Sequence, residues 1–389
     1  LPVRKGNLRK RVIILGSTGS MGKQVLDVID KEREHFKVVG LTGKSNLELL
    51  QKQTEKFFVP VIALADEEKA KELRKRLKKT EVYGGDKGVV EVAKSIPADL
   101  VICCIVGKAA LIPTLEAIKS GKNIASANKE SLVIAGNIIK NEVKRRGIQF
   151  FSIDSEEIAI FQCLEGHNIK DVEKIYLTAS GGPFWNREGN FEDITPVQAL
   201  SHPRWKMGPK ISLDSATLVN KGLEVIETHY FFGIDIEKIK ILIHPESIVH
   251  SLVEFIDGSI LGQLGITDMR LPIHYILNYP ERRKSSLPFL KLEMIKRISF
   301  EPPDFQKFPA LKLSYWAGKE EGTLPAVFSA ADEIAVELFL GKKIKFSQIV
   351  PLIEGVMKEH KLVPNPSLKE ILKVDAWARK KAYQLFKEI

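Results

Sequence analysis

Residues 12–22 read Val-Ile-Ile-Leu-Gly-Ser-Thr-Gly-Ser-Met-Gly, and apolar residues then recur at helical spacing at Val25, Leu26 and Ile29. Four consecutive apolar residues predict a short buried strand, and the glycines allow a tight turn into a helix. The glycines are spaced three and three, whereas the commonest dinucleotide motif spaces them two and three. The stretch therefore predicts a nucleotide-binding strand, loop and helix at the start of the chain.

Strand and helix patterns continue to alternate as far as residue 153. Further strands are predicted at residues 37–41, 61–64, 100–104, 123–125 and 150–153, with helices such as 67–78 and 110–119 between them. Alternation of this kind is typical of an α/β domain with a parallel sheet. We predict a Rossmann-like, doubly wound parallel sheet over residues 1–150.

The end of the second predicted strand indicates which nucleotide would bind. An NAD-binding domain usually has an acidic residue there, which binds the ribose 2′-hydroxyl, but this chain has Thr42-Gly43-Lys44-Ser45-Asn46. A cation, a hydroxyl and an amide suit a 2′-phosphate, so we predict NADP. Gly43-Lys44-Ser45 also resembles the end of a phosphate-binding P-loop, but Val38 stands where the first glycine of that motif is required.

The remainder of the chain divides by pattern into three parts. We predict a central α+β catalytic domain at 151–286, a proline-rich connector at 287–311 and a C-terminal helical domain at 312–389. Strands at 174–177, 239–243 and 250–255 would form a second sheet, and helices are expected at 330–340, 347–359 and 368–386.

Two carboxylates follow the strand predicted at 150–153. Asp154 and Glu156 would point to the same side of an extended chain, and oxygen ligands without a nearby His or Cys favour Mg²⁺ or Mn²⁺. The residues alone equally allow helix capping before a helix that begins near Ile158. Glu224 is the candidate for a third carboxylate.

Residues 202–224 contain more reactive residue types than any other stretch. Residues 202–210 have no periodicity and contain Pro203, Gly208 and Pro209, so they predict a loop. Trp205 and Met207 on such a loop suit a lid that excludes water, although a buried tryptophan is the commoner situation.

A helix is then predicted to begin at Asp214 or Ser215, both good N-cap residues. Asn220, Lys221 and Glu224 would emerge together from one face. Ser215 would lie where helix-terminal N–H groups can receive an anion, which favours phosphate binding.

Two other polar segments follow predicted strands. Asn128-Lys129-Glu130 lies at a strand's carboxyl end, where parallel sheets bind ligands. Ser180-Gly181-Gly182 allows backbone N–H groups to approach an anion closely, and a plain turn is about equally consistent with it.

Composition narrows the class of protein. The formal net charge is +10, but basic clusters at 69–79, 144–146 and 282–284 are scattered and lack interleaved aromatics, so we predict no nucleic-acid partner. No apolar run approaches membrane-spanning length, and no signal-peptide core follows the basic N-terminal residues Arg4 and Lys5. Cys103, Cys104 and Cys163 suggest neither a disulfide framework nor a zinc site. We expect a cytoplasmic protein without a membrane partner.

Together, residues 16–22, 127–132, 154–156, 180–184 and 202–224 closely resemble the 1-deoxy-D-xylulose 5-phosphate reductoisomerase family over nearly the whole chain. The resemblance implies an NADPH- and divalent-metal-dependent oxidoreductase of the non-mevalonate isoprenoid pathway, usually a homodimer, with Co²⁺ as a further candidate metal. It would rearrange 1-deoxy-D-xylulose 5-phosphate and reduce the product to 2-C-methyl-D-erythritol 4-phosphate. Another NADP-dependent dehydrogenase would explain the first domain but would leave the carboxylates unexplained.

The resemblance also implies roles for individual residues. The metal would be bound by Asp154, Glu156 and Glu224, which with Lys129 and His202 form the catalytic set. The sugar phosphate would contact Lys129, Ser155, Glu156, Ser180, His202, Trp205, Met207, Ser215, Asn220, Lys221 and Glu224. NADPH would contact Thr18, Gly19, Ser20, Met21, Gly43, Lys44, Ser45, Asn128, Glu130 and Gly208.

Three residues depart from the family's usual pattern. Ser329 and Asp332 stand where Asn is common, and Thr267 stands where Pro usually precedes Asp268. All three lie outside the residues expected to contact ligands, so they put interdomain or dimer contacts in doubt rather than the chemistry.

Overall fold

The structure is a computed structural model that describes residues 9–205 and 207–388. Arg4 and Lys5, and Lys206 of the predicted loop, lie outside the described residues. The chain divides into two compact units. The first contains Leu1–Asn128, Ile139–Asp154 and Asp268–Leu287, and the second contains Lys129–Ile138, Ser155–Thr267 and Pro288–Ile389.

Eleven strands form two sheets in the described part of the chain. In chain order they are β1 Lys10–Leu15, β2 Phe36–Gly43, β3 Val61–Leu64, β4 Glu81–Gly84, β5 Leu100–Cys103, β6 Asn123–Ser126, β7 Phe150–Ser152, β8 Val172–Ala179, β9 Ile239–Ile243, β10 Val249–Phe255 and β11 Ile260–Leu264. The first sheet has the order β4-β3-β2-β1-β5-β6-β7, and the second has the order β11-β10-β8-β9.

Fifteen α-helices accompany the sheets in the same described residues. They are α1 Ser20–Lys31, α2 Leu47–Phe57, α3 Glu67–Arg76, α4 Gly85–Ser95, α5 Leu111–Lys119, α6 Glu130–Arg146, α7 Ser155–Leu164, α8 Pro196–Ala199, α9 Pro209–Thr217, α10 Val219–Phe232, α11 Arg270–Asn278, α12 Ala310–Glu320, α13 Leu324–Leu340, α14 Ile349–Lys358 and α15 Leu368–Phe386. None of them is both long and apolar enough to cross a membrane.

The first sheet is parallel throughout, which confirms the Rossmann-like prediction. Residues 12–15 of β1 are fully buried between β2 and β5, as expected for a strand covered on both faces. The first sheet reverses its order at β1, so the loop after β1 lies at a topological switch point, where such sheets bind ligands. The strand β4 and the helix α4 were not predicted.

The second unit combines the second sheet with the C-terminal helices. The strand β8 pairs parallel with β9 and antiparallel with β10, which makes a mixed sheet. Phe328 and Phe339 of α13 are among the largest fully buried side chains, and they share one apolar core with residues of α9 and α10. The helices predicted near 330–340, 347–359 and 368–386 are confirmed, whereas α12 was not among the predicted helices.

Two local predictions were wrong. The strand β7 ends at Ser152 and α7 begins at Ser155, so Asp154 and Glu156 do not share an extended strand. The helix expected to begin at Asp214 or Ser215 begins at Pro209 instead, because proline is tolerated in a first helical turn, where its missing N–H is not needed. Asp214 and Ser215 therefore lie inside α9 and do not cap a helix.

Candidate active site

The loop between β1 and α1 has the form of a nucleotide-binding turn. Gly16 has φ +81, and a Cβ there would lie 2.9 Å from the Cys104 carbonyl carbon, so only glycine fits. Gly19 is the N-cap of α1 and provides no side-chain hydrogen bond to the first turn. The N-terminal turn of α1, with Ser20 and Met21, therefore presents backbone N–H groups that suit an anion.

The end of β2 lies beside this loop in the first unit. Gly16 N donates to Thr42 Oγ1 at 2.9 Å, and a Cβ on Gly43 would lie 3.2 Å from Thr18 Oγ1. Lys44 and Ser45 follow Gly43 and are exposed. A cation and a hydroxyl thus occupy the position of the usual ribose-binding acid, which is compatible with a 2′-phosphate.

The predicted cofactor residues fall in both units. Asn128 ends the first unit, is buried, and donates from Nδ2 to Gly107 O at 3.1 Å. Glu130 and Gly208 belong to the second unit. Glu130 begins α6 and Gly208 is the N-cap of α9, so both are placed at helix starts.

Three carboxylates meet at the predicted metal site. One carboxylate oxygen from each of Asp154, Glu156 and Glu224 lies within 4.8 Å of the other two. Asp154 is joined directly to Ser155, the first residue of α7, and Glu156 lies in the first turn of that helix. The two carboxylates therefore come together at the turn from β7 into α7. They do not do so by the alternation of side chains along a strand, as the sequence had suggested. Ser155 Oγ donates to Glu156 Oε2.

Lysines compensate the charge of these carboxylates. Lys221 Nζ lies 2.6 Å from Glu156 Oε1 and also contacts Glu224 Oε2. Lys129 Nζ lies 2.7 Å from Glu224 Oε1, and Asn220 Nδ2 donates to the same oxygen. Only 1% of the Glu224 side chain and 4% of the Lys221 side chain are exposed, so these charges interact in a poorly solvated environment.

A break in the helical stretch places the phosphate candidates. Leu218 has φ +60, which ends α9 and lets α10 begin at Val219. Asn220 and Lys221 therefore lie in the first turn of a 14-residue helix, where the helix dipole favours an anion. The predicted start at Asp214 or Ser215 matches neither helix, because α9 begins at Pro209 and α10 begins at Val219. Ser215 therefore does not lie at a helix N-terminus, whereas Asn220 and Lys221 do.

The glycine pair after β8 packs directly against α9. Gly181 and Gly182 have φ values of +84 and +68, and a Cβ on Gly182 would lie 2.5 Å from Ser215 O. This close approach brings the turn that contains Ser180 next to Ser215. The two serines predicted to bind the same phosphate are therefore on adjoining segments.

Hydrogen bonds define the tautomer of His202. Its Nδ1 accepts from the backbone N–H groups of Trp205 at 2.8 Å and Arg204 at 3.2 Å, so Nδ1 carries no proton. Its Nε2 therefore carries the proton and donates to Ser180 Oγ at 2.9 Å. Burial lowers the pKa of His202 to about 4, so the ring is neutral at pH 7. Ser180 Oγ also accepts from Gly182 N at 3.2 Å, which leaves its O–H to donate to a ligand oxygen.

The predicted loop contacts the turn between β9 and β10. Arg204 Nε donates to Pro245 O at 2.9 Å, and the ring centroids of Trp205 and His250 are 6.4 Å apart. Trp205 is half-buried, and Met207 is also half-buried. The described residues from His202 to Gly208 have no helical or strand structure, which confirms a loop there, but it ends two residues before the predicted boundary at Lys210 because α9 begins at Pro209.

Sequence reasoning missed two features of this region. His250 lies in β10 and faces Trp205. In the sequence it is one residue of a predicted strand, and nothing in that pattern indicated a contact with the loop. Lys210 binds Asp214 and Asp332 in a buried ion cluster. Lys210 and Asp214 are four residues apart, and this spacing could have predicted an ion pair along a helix. Asp332 is 122 residues away from Lys210, so no local spacing predicts that contact.

Comparison with known proteins identifies the family. Family models described as 1-deoxy-D-xylulose 5-phosphate reductoisomerase and its C-terminal domains match residues 12–136, 150–232 and 264–381. A relative named 1-deoxy-D-xylulose 5-phosphate reductoisomerase from Thermoanaerobacter sp. (strain X514) is 51% identical over 375 residues, covering 96% of this chain and 98% of the relative. The chain belongs to the 1-deoxy-D-xylulose 5-phosphate reductoisomerase family. A relative of the same name from Thermodesulfovibrio yellowstonii is 48% identical over 96% of this chain and 98% of its own length.

Solved structures of reductoisomerases agree with this assignment. A Zymomonas mobilis reductoisomerase in complex with NADPH superposes with a TM-score of 0.92 at 39% identity, covering 98% of this chain and 100% of its own. A DOX-P reductoisomerase in complex with NADPH, fosmidomycin and magnesium gives a TM-score of 0.91 at 36% identity, over 97% and 98% of the two chains. The fold described above is therefore the reductoisomerase fold.

Proposed function

We propose that this protein uses NADPH and a divalent metal ion to convert 1-deoxy-D-xylulose 5-phosphate into 2-C-methyl-D-erythritol 4-phosphate. The observation that carries the proposal is the convergence of three carboxylates with Lys129 and Lys221 in one poorly solvated cluster. A dehydrogenase that only transferred hydride would not need such a cluster. The pathway is that of isoprenoid precursors, as in the reductoisomerase family.

The carboxylate cluster fits a hard divalent cation. Asp154, Glu156 and Glu224 offer only oxygen ligands, which suit Mg²⁺ and Mn²⁺, with Co²⁺ as a further candidate. When bound, the cation would stabilise the negative charge that develops while one C–C bond breaks and another forms. Ser155 Oγ donates a hydrogen bond to Glu156 Oε2, which fixes the two groups relative to each other, and both would contact the sugar.

The phosphate of the substrate would be bound by residues of α9, α10 and the glycine turn. Ser180 and Ser215 lie on adjoining segments, and Asn220 and Lys221 occupy the first turn of α10. The neutral His202 donates to Ser180 Oγ, which leaves the serine O–H to donate to a phosphate oxygen when the substrate is bound. Lys129, near Glu224, would orient the sugar oxygens, and Trp205 and Met207 would exclude water.

NADPH supplies the hydride when it is bound, and the protein orients it. We assign to this cofactor Thr18, Gly19, Ser20, Met21, Gly43, Lys44, Ser45 and Asn128 of the first unit and Glu130 and Gly208 of the second. The assignment to NADPH rather than NADH is supported by exposed Lys44 and Ser45 beside the glycine loop.

We also propose a cytoplasmic homodimer with no nucleic-acid or membrane partner. The strand β11 is an edge of the second sheet, and it exposes Ile260, Leu261 and Leu264. An apolar sheet edge of this kind is a typical surface for association. Light scattering of the parent and of Leu261→Lys tests the proposal, because a monomeric parent would contradict it.

The experiment that tests the function follows NADPH oxidation by absorbance with 1-deoxy-D-xylulose 5-phosphate, with and without Mg²⁺. We expect oxidation only when substrate and metal are both present. The product should be verified by mass spectrometry and NMR as 2-C-methyl-D-erythritol 4-phosphate. NADPH oxidation that is unaffected by excess EDTA, or a product with an unrearranged carbon skeleton, would refute the proposal.

A further inference from the structure

A buried cluster of charges lies at the end of the loop 201–208, of which the structure describes residues 201–205, 207 and 208. The cluster lies outside the residues that are proposed to hold substrate or metal. Lys210 Nζ lies 2.5 Å from Asp214 Oδ2, 2.7 Å from Asp332 Oδ2 and 3.8 Å from Glu130 Oε1. The Asp332 side chain is fully buried, the Asp214 side chain is 2% exposed, and that of Lys210 is 15% exposed. Of these four residues, Glu130 is a proposed NADPH contact, and Lys210, Asp214 and Asp332 have no proposed role in binding or catalysis.

The cluster joins three elements of the second unit. Lys210 is the second residue of α9 and lies two residues after Gly208, the last residue of the loop. Asp332 lies in the middle of α13, the most deeply buried helix of the C-terminal part. The Lys210 ammonium therefore connects the end of the loop to a helix that cannot move without disrupting the core.

The charges of the cluster do not balance. Three carboxylates surround one ammonium, and Oδ1 of Asp214 and Oδ1 of Asp332 are buried without a hydrogen-bond partner among the described residues. Burial raises the pKa of Asp214 to about 8, the charge of Asp332 adds to this effect, and Lys210 opposes it. Burial also raises the pKa of Asp332. One proton held on the two aspartates would relieve the repulsion between them.

We propose that Lys210, Asp214 and Asp332 are positioning residues that share one proton and thereby hold the loop 201–208 in its docked position. None of the three touches the reacting atoms. Their effect passes through Gly208 to the loop, whose described contacts include Arg204 with Pro245, His202 with Ser180 and Trp205 with His250. The role in catalysis rests on the proposed function, but the docking of the loop does not.

The direction of the pH dependence follows from the raised pKa of Asp214. In the proposal, undocking lets water reach Asp214 and returns its pKa toward the ordinary value. Protonated Asp214 therefore stabilises the docked state, and this contribution is lost as the pH rises through the raised pKa. With one proton involved, the equilibrium between undocked and docked loop can change by up to about tenfold per pH unit above that point.

Other charged groups near the cluster are already paired. Glu333 follows Asp332 in α13 and lies 2.8 Å from Arg379 of α15. Glu130 is the remaining carboxylate that faces Lys210. These groups change the charge around the two aspartates, but Asp214 and Asp332 lie much closer to the ammonium, at 2.5 and 2.7 Å compared with 3.8 Å for Glu130.

Limited trypsin digestion of the full-length, ligand-free protein tests the proposal. The bond after Arg204 lies in the loop, so its cleavage rate reports undocking, and a free peptide with the loop sequence corrects for trypsin's own pH dependence. We expect the corrected rate to rise between pH 7 and 9.5. In Asp332→Asn the rise should disappear, because Asp214 without its negative neighbour ionises about 1–3 pH units lower and pairs with Lys210.

Two further variants complete the experiment. Glu333→Gln is the matched control, because it removes the same charge from the adjacent residue of α13, which pairs with Arg379 instead of Lys210. Its profile should keep the alkaline rise, moved slightly to lower pH because Glu333 also raises the pKa of Asp332. Asp214→Asn should lose the alkaline rise, as Asp332→Asn does, so the proposal can be tested even if one variant folds poorly. A flat profile in the parent, or Asp332→Asn and Asp214→Asn profiles that follow the parent, would overturn the proposal.

Steady-state kinetics then separate this inference from the proposed function. At pH 9 the KM for the sugar phosphate should be lower in Asp332→Asn than in the parent, with kcat and the KM for NADPH little changed. If the protein does not turn over 1-deoxy-D-xylulose 5-phosphate but its cleavage profile behaves as expected, the proposed function fails and the positioning role stands.

Discussion

We expect Lys221→Met to bind Mg²⁺ or Mn²⁺ more tightly than the parent, although the same change removes a proposed phosphate ligand. Lys221 Nζ contacts both Glu156 and Glu224, two of the three proposed metal ligands. Its ammonium and a divalent cation therefore compete for the same carboxylate charge. Methionine keeps the length and apolar stem of lysine but removes the competing charge.

The size of the effect follows from the burial of these groups. Two unit charges about 4 Å apart interact by roughly 4 kcal/mol at the effective dielectric constant of about 20 that suits partly buried pairs. Lys129 still neutralises part of Glu224 at 2.7 Å, and water entering the site reduces the effect further. We therefore expect about 1–3 kcal/mol, which is roughly 5- to 150-fold in metal affinity.

The same reasoning predicts the stability of the metal-free variant. Removing one partner of a buried ion pair costs about 3–5 kcal/mol, because the carboxylates left behind are uncompensated. Metal should restore much of this loss, since a ligand at 100 times its Kd stabilises by about 2.7 kcal/mol. The rise in Tm on adding Mg²⁺ should therefore be larger in Lys221→Met than in the parent.

Calorimetric titration with Mn²⁺ and thermal unfolding with and without Mg²⁺ measure both effects. Lys319→Met is the control, because Lys319 pairs with Glu237 on the surface, where both side chains are 68% exposed. The control should leave the metal affinity and the Tm shift as in the parent. A folded Lys221→Met protein that binds Mn²⁺ more weakly than the parent would refute competition and show that the lysine helps to build the metal site.

Further predictions concern the cofactor, the loop, the histidine and the metal. Lys44→Glu should weaken NADPH binding by about 1.5–3 kcal/mol and NADH binding much less, and equal losses in fluorescence titrations would contradict the NADP assignment. Trp205→Ala should lower turnover while the free energy of unfolding stays nearly constant; a loss of about 3–5 kcal/mol would make it a core residue instead. Because burial lowers the pKa of His202, the parent should lose more stability than His202→Gln between pH 6.5 and pH 4 in chemical denaturation. Chelation should abolish activity reversibly, and Glu224→Gln should lower kcat by roughly 100-fold or more; full activity in EDTA would contradict the metal site.

The first unit was largely predictable because its central strands are buried on both faces. Residues 12–15 form an uninterrupted apolar run, and the glycine loop follows at once. The strand β4 was missed because it lies at the edge of the sheet, and Val82 is its only buried residue. The helix α4 begins with Gly85 and contains Gly88, residues that favour turns over helices when read without their tertiary contacts.

The structure brings the three predicted carboxylates together, but part of the predicted local structure around them was wrong. Asp154 and Glu156 do converge, but through the start of α7 rather than through the period of a strand. Asp214 has the chemistry of an N-cap, yet its carboxylate binds Lys210, which lies one helical turn earlier. The partner Asp332 could not have been inferred, because no local pattern connects residues 122 positions apart.

The break at Leu218 divides one short stretch into two helices that are held in different ways. It separates α9, whose first turn holds the loop through Lys210, from α10, which contains Glu224 and Lys221. The helix α10 packs so closely on α12 that a Cβ on Gly222 would lie 2.6 Å from Ser314 Oγ, so the glycine that costs about 1 kcal/mol in a helix permits this contact. Glu224, a proposed metal ligand, is thereby fixed against the core, while the loop depends on a small cluster of charges. A substitution in that cluster should therefore change the docking of the loop without moving Glu224.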